Sequence, residues 1–195
     1  LGQLQAAELS YLKAIKIKPN YSDAHYNLGI TLKNLGKLKD AELSYRKAIK
    51  IKPDYASAHL NLGTILTNLG NLQEAERSTR EAIELNPNLA DAHTNLGKTL
   101  RDLGKLQELI LLSKSTLESK SINKEYKLRA SLSLTIANLL QGNYAETLLN
   151  LNKTKEFIRQ GAIYSIRDEK NIKNINTFFK FITLLYPLLE KENKH

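Results

Sequence analysis

Cysteine, methionine and tryptophan are all absent from this 195-residue chain. Without cysteine there is no disulfide, no thiolate metal site and no catalytic thiol. Only four histidines remain for imidazole chemistry, which argues against zinc, and no cofactor is expected. Proline is scarce, at four residues, and aromatics make up 7% of the chain. There is no basic-then-apolar leader, and no apolar run is long enough to cross a bilayer. With no initiator methionine and an abrupt start at Leu1, the reading expects a soluble piece of a longer protein, placed in the cytoplasm. What is present is a 42% hydrophobic content, too high for a disordered chain. Lys and Arg number 29 against 20 Asp and Glu, a formal net charge of +9. The basic residues are spread along the chain without aromatic interleaving or a docking motif, which argues against nucleic acid as a partner.

The scarce residues are periodic. Pro19, Pro53 and Pro87 are each 34 residues apart, and the same step relates His25, His59 and His93, then Asn27, Asn61 and Asn95, then Gly29, Gly63 and Gly97. Gly2, Gly36, Gly70 and Gly104 follow it too, while Gly142 comes four residues late. A fixed period of this length identifies a stacked repeat rather than a single globular core. Small residues such as Gly29 and Ala41 let two helices approach closely. Gly36 suits a left-handed turn, and Pro53 ends the helix before it.

A 34-residue unit with N-L-G, then G-x-L, then alanines and a closing proline resembles the tetratricopeptide repeat. The resemblance implies an all-α, right-handed superhelical solenoid of antiparallel helix pairs with a divergent helical C-terminal region. The units fall at a half repeat 1–21, repeats 22–55 and 56–89, and a degenerate 90–121, together an array over 1–121. Leu109, Thr116 and Ser121 replace two alanines and the proline there, so looser packing is expected. Residues 122–160 read as a degenerate pair, one helix through Leu132, Ile136 and Leu139 and its partner, opened by Tyr144, through Leu148, Leu151 and Phe157. Residues 161–195 read as a loop and an apolar capping helix around Phe178 to Leu189, interrupted at Pro187.

Neither the histidines nor the acids assemble a reactive site. Equivalent positions in successive repeats are two helices apart, roughly 8–10 Å per packed axis, so three histidines cannot share one ion. No nucleophile with a base, phosphate loop or carboxylate pair stands out, and the expectation is of a chain that is not an enzyme. By the family's register, the first helix of each unit lines a groove. The inward set is Asp23, Tyr26, Asn27, Ile30, Lys33 and Asn34, then Ser57, Leu60, Asn61, Thr64, Thr67 and Asn68, then Asp91, Thr94, Asn95, Lys98, Arg101 and Asp102. The carboxylate clamp of chaperone-binding members is not implied, because its places hold Tyr26, Ile30, Asp91 and Asn95. The pattern is more similar to the asparagine-bearing arrays ahead of O-linked N-acetylglucosamine transferases, whose asparagines hold peptide main chain. The resemblance thus implies a scaffold that binds a protein or extended peptide, with no small-molecule substrate and no membrane span. The alternative is a substrate-recruiting or oligomerising arm of a larger transferase-type enzyme. Apolar surface at Leu4, Ala7 and Tyr11 and at the C-terminal helix adds the expectation of a homodimer through the solenoid ends.

Overall fold

The computed structural model describes residues 2–120 and 122–159; the C-terminal loop and capping helix expected at 161–195 lie outside the described residues. The described residues are all helical, with turns between the helices. By contacts the chain divides into two compact units, residues 1–103 and 104–195, so the degenerate repeat 90–121 contributes to both.

The first unit contains α1 (Gly2–Ile17), α2 (Ser22–Asn34), α3 (Leu38–Ile51), α4 (Ala56–Asn68), α5 (Leu72–Leu85) and α6 (Ala90–Asp102). Each helix packs on the next, and α4 also meets α6. The turn glycines close α2 and α4. Gly36 and Gly70 have φ of 76° and 81°, a left-handed conformation that costs a residue with a Cβ. That geometry lets the Lys37 amide donate to the Leu32 carbonyl at 2.9 Å and the Asn71 amide to Leu66 at 2.8 Å. Carbonyls that would otherwise be orphaned at each helix end are thereby satisfied.

The core of this unit joins Leu28, Leu32, Ala41 and Tyr45 of α2 and α3 to Leu62, Ile65, Leu66 and Ala75 of α4 and α5. One close approach is at Gly29, where a Cβ would stand 2.6 Å from the ring of the fully buried Tyr45. One repeat on, a Cβ at Gly63 would collide with the Thr79 hydroxyl. The glycine is therefore a contact surface, and its poor helix propensity is offset by the side chain it admits. Among the described residues the Tyr45 hydroxyl is buried without a hydrogen-bond partner, which leaves a desolvated polar group in the core.

Each repeat histidine has a defined task. Nε2 of His25, His59 and His93 lies 2.9 Å from the carbonyl of Pro19, Pro53 and Pro87 respectively. A carbonyl only accepts, so Nε2 carries the proton and ties the start of each helix to the linker before it.

The second unit contains α7 (Leu106–Glu118), α8 (Lys124–Leu140) and α9 (Tyr144–Arg159). Asn123 caps α8, its side-chain oxygen accepting from the Tyr126 amide at 3.2 Å. Leu109 is accommodated in place of the repeat alanine with 1% of its surface exposed. The buried face of α8 differs from the apolar stripe expected from the sequence. Leu132, Ile136 and Leu139 are half-buried, whereas Leu128, Ser131, Leu134, Thr135 and Asn138 are buried. Facing them, α9 buries Thr147, Asn150, Leu151 and Thr154. These polar residues satisfy themselves locally. Thr135, Asn138, Thr147, Asn150 and Thr154 each donate to a carbonyl four residues back, and Ser131 and Thr154 share a bond of 2.5 Å. Hydroxyls bonded to their own helix can be buried at little cost.

The Gly29–Tyr45 contact gives opposite expectations for two small changes. Gly29→Ala should lower stability by on the order of 1–3 kcal/mol through overpacking. Tyr45→Phe, which removes only the unpartnered hydroxyl, should leave stability unchanged or raise it by about 1 kcal/mol. Urea unfolding followed by circular dichroism checks both.

Candidate functional site

On α2, α4 and α6 the core takes Ala24, Leu28 and Leu32 and their repeats Ala58, Leu62, Leu66, Ala92, Leu96 and Leu100. The residues assigned to the groove from the sequence occupy the remaining positions of the same helices. Asn27, Asn61 and Asn95 are half-buried, as are Tyr26, Ile30, Lys33 and Thr64; Asn34, Asn68, Lys98 and Arg101 are exposed. Leu60 is the exception. It is buried against Ala82 and Ala92, so it holds the packing between repeats and does not line an open surface.

The asparagines are linked from repeat to repeat. Asn61 Nδ2 donates to the Tyr26 hydroxyl at 3.2 Å, and Asn95 Nδ2 donates to Thr64 Oγ1 at 2.8 Å. Thr64 gives its own proton to the Leu60 carbonyl at 3.0 Å, so its oxygen can only accept from the amide. This orients the Asn95 side chain with its NH2 toward the previous repeat. One N–H and the carbonyl oxygen of each amide keep their capacity to bind, because no other side-chain bond engages them among the described residues. Asn27 has no side-chain hydrogen bond among the described residues.

At one end of this wall stands a tyrosine cluster. The Tyr26 ring centroid lies 4.7 Å from Tyr55 and 6.0 Å from Tyr45. Burial pushes the Tyr55 hydroxyl up to about 12, and the Asp23 carboxylate beside it adds to the shift. Burial, and then Tyr26, push the Tyr45 hydroxyl up as well. The Lys52 ammonium sits 4.9 Å from the centroid of the Tyr55 ring, in the attractive range for a cation over an aromatic face. Tyr55 was not among the sequence candidates. Its signal is the residue two places after each proline, aromatic at Tyr21 and Tyr55 and aliphatic at Leu89. Arg101 is engaged by its neighbour Asp102 at 3.2 Å, an exposed pair of small energetic weight.

The second unit has a cleft of about 650 Å³ lined by Lys114, Leu134, Glu146, Asn150 and Lys153 among others. None of the sequence-assigned site residues lies on it. Among the described residues, no group of three His, Asp or Glu could hold a metal ion, and no helix is long and apolar enough to cross a membrane.

The comparisons with known proteins agree with this geometry. A profile described as "Tetratricopeptide repeat" matches residues 22–55 and 56–89, one described as "TPR repeat" matches 1–36, and a further "Tetratricopeptide repeat" profile matches 79–110. Among solved structures, MamA is similar at 27% identity and a TM-score of 0.76, over 83% of this chain and 92% of that one. MamA from Desulfovibrio magneticus RS-1 is similar at 19% identity and a TM-score of 0.72, over 82% of this chain and 88% of that one. YrrB, titled a TPR protein with an unusual peptide-binding site, is 21% identical with a TM-score of 0.71, over 86% of this chain and 85% of that one. No curated protein matches the sequence.

The tyrosine cluster predicts an alkaline limit to stability. Free tyrosine ionises near pH 10, and in the folded chain Tyr45 and Tyr55 stay protonated beyond that. The stability they contribute is complete below about pH 10 and is lost as pH climbs through about 12. The melting temperature should fall over that window, and Tyr45→Phe should make the fall shallower in a pH series of thermal melts.

Proposed function

Over residues 1–110 the chain belongs to the tetratricopeptide repeat family, and from that premise we propose that the α2–α4–α6 wall binds an extended segment of a partner protein. On this reading the chain is an interaction scaffold, not an enzyme. The observation that carries it is the asparagine series at one register. Asn61 and Asn95 are each oriented by a single bond to the repeat before, and each retains an acceptor and a donor. An extended peptide presents C=O and N–H groups at intervals, and an amide can pair with both without reading side chains. Fixing the amide in advance lowers the ordering cost of binding.

Tyr26, Ile30, Lys33 and Thr64 would flank the peptide, while Asn34, Asn68, Lys98 and Arg101 would make the polar rim. YrrB shares this fold and is a TPR protein with a peptide-binding site, so the fold accommodates such a use. The residues that argue for it here are this chain's own. The closer likeness to asparagine-bearing transferase arrays belongs to the same proposal, with one difference of emphasis. In this chain two of the asparagines serve both packing and recognition.

That double role makes the three positions separable. With a peptide selected from a random display library on the intact chain, each of Asn27→Ala, Asn61→Ala and Asn95→Ala should weaken binding by on the order of 1 kcal/mol. Asn61→Ala and Asn95→Ala should also lower the melting temperature, because a bond between repeats goes with them. Asn27→Ala should leave it unchanged. Undiminished affinity in all three variants would make the series purely structural and remove the wall as the binding site.

A further inference from the structure

We propose that the outward faces of α1 and α3 form a basic, leucine-bearing surface that docks peripherally on an anionic phospholipid membrane. The net charge of the chain is concentrated at one end. Residues 1–52 contain ten Lys and Arg against four Asp and Glu, so they hold +6 of the formal +9.

The repeat arranges that charge. Leu9, Lys13 and Lys16 on α1 recur 34 residues later as Leu43, Lys47 and Lys50 on α3. Spacing of i, i+4, i+7 sets each triplet on one stripe of its helix. On α3 the stripe lies opposite Ala41, Ser44, Tyr45 and Ala48, the buried face. All six side chains are exposed, Leu9 at 62% and Leu43 at 66%. Both helices pack on α2, and Lys37, just ahead of α3, is held to Glu8 of α1 at 2.8 Å.

The four lysines are uncompensated. None of Lys13, Lys16, Lys47 and Lys50 has an acidic partner among the described residues, whereas Lys37 and Arg46 are paired with Glu8, Glu42 and Glu74. The surface is also bounded. In α5 the same three positions are Arg77, Glu81 and Glu84, so the charge reverses one repeat on.

The chemistry selects the partner. Lysines near an anionic bilayer gain roughly fivefold in binding apiece, and leucines between them can enter the boundary of headgroup and acyl chain. Nucleic acid would use the lysines and leave the leucines in water. An acidic peptide would need a cleft of one sign, and the adjoining cleft of about 440 Å³ is lined by both signs, with Arg46, Lys50, Glu74 and Glu81. Two stripes of the same residues, exposed on helices that both pack on α2, suit an array of headgroups.

Co-sedimentation of the intact chain with vesicles tests the proposal. One set is phosphatidylcholine alone and the other contains about a third phosphatidylserine. Binding should appear on the phosphatidylserine vesicles and fall at least about tenfold between low salt and about 0.5 M salt. The variant Lys13→Glu, Lys16→Glu, Lys47→Glu, Lys50→Glu should abolish it while keeping the helical circular dichroism of the parent. Leu9→Ser with Leu43→Ser, which leaves the charge intact, should weaken it at least threefold or so. Equal binding to both vesicle types, no binding to either, or binding that survives the charge reversal would overturn the proposal. So would tight capture of soluble polyglutamate that is lost in the lysine variant, with vesicle binding unaffected by the leucine changes; that outcome would assign the face to an acidic protein segment.

Discussion

Two helices can approach only as closely as the side chains between them allow, and this chain sets that distance with a glycine. At Gly29 the missing Cβ is what admits the ring of Tyr45, and the packing of α2 on α3 follows from that contact. The same step brings Gly63 against Thr79, so the glycine persists while its partner shrinks from an aromatic ring to a hydroxyl. The close approach at Gly29 thus recurs at the equivalent glycine one repeat on, so α4 packs on α5 as α2 packs on α3. On the first helices, Asn61 and Asn95 meet the previous repeat at hydrogen-bond distance.

Much of this is legible in the sequence because the residues concerned have few alternatives. A glycine inside a helical pattern, a proline after it and an alanine at the crossing point each signal a steric requirement. The assignment of the groove positions on α2, α4 and α6 is what the resemblance to the family implies, taken from its register, and Leu60 departs from it by packing against apolar neighbours. Its burial against Ala82 and Ala92 depends on α5 and α6, which no local pattern reports. The partners of the asparagines are hidden for a related reason. Tyr26 and Thr64 sit at different positions in their repeats, so periodicity alone does not pair them with Asn61 and Asn95.

The second unit shows where hydrophobic patterning fails. Its α8–α9 interface is built largely from Ser131, Thr135, Asn138, Thr147, Asn150 and Thr154, residues a pattern search places on a solvated face. Thr135, Asn138, Thr147, Asn150 and Thr154 are buried because each returns its hydrogen bond to its own helix, and Ser131 bonds to Thr154 across the interface, which leaves the methyls and methylenes to do the packing. A leucine stripe such as Leu132, Ile136 and Leu139 then lies beside the buried face, not at its centre. Side chains that bond backward along a helix are polar in composition and nearly apolar in effect.

The tyrosine cluster has an optical consequence. With no tryptophan in the chain, tyrosine dominates its near-ultraviolet absorption, and excitation on a tyrosine has no indole to drain into. Tyr26 and Tyr55 are held 4.7 Å apart with their ring planes inclined by 33°, a fixed, asymmetric pair of chromophores, one on α2 and the other in the linker that leads from α3 into α4. Near-ultraviolet ellipticity and tyrosine emission from this pair therefore report how the linker into α4 seats on α2, from within the native sequence and with no label attached to the wall they stand beside.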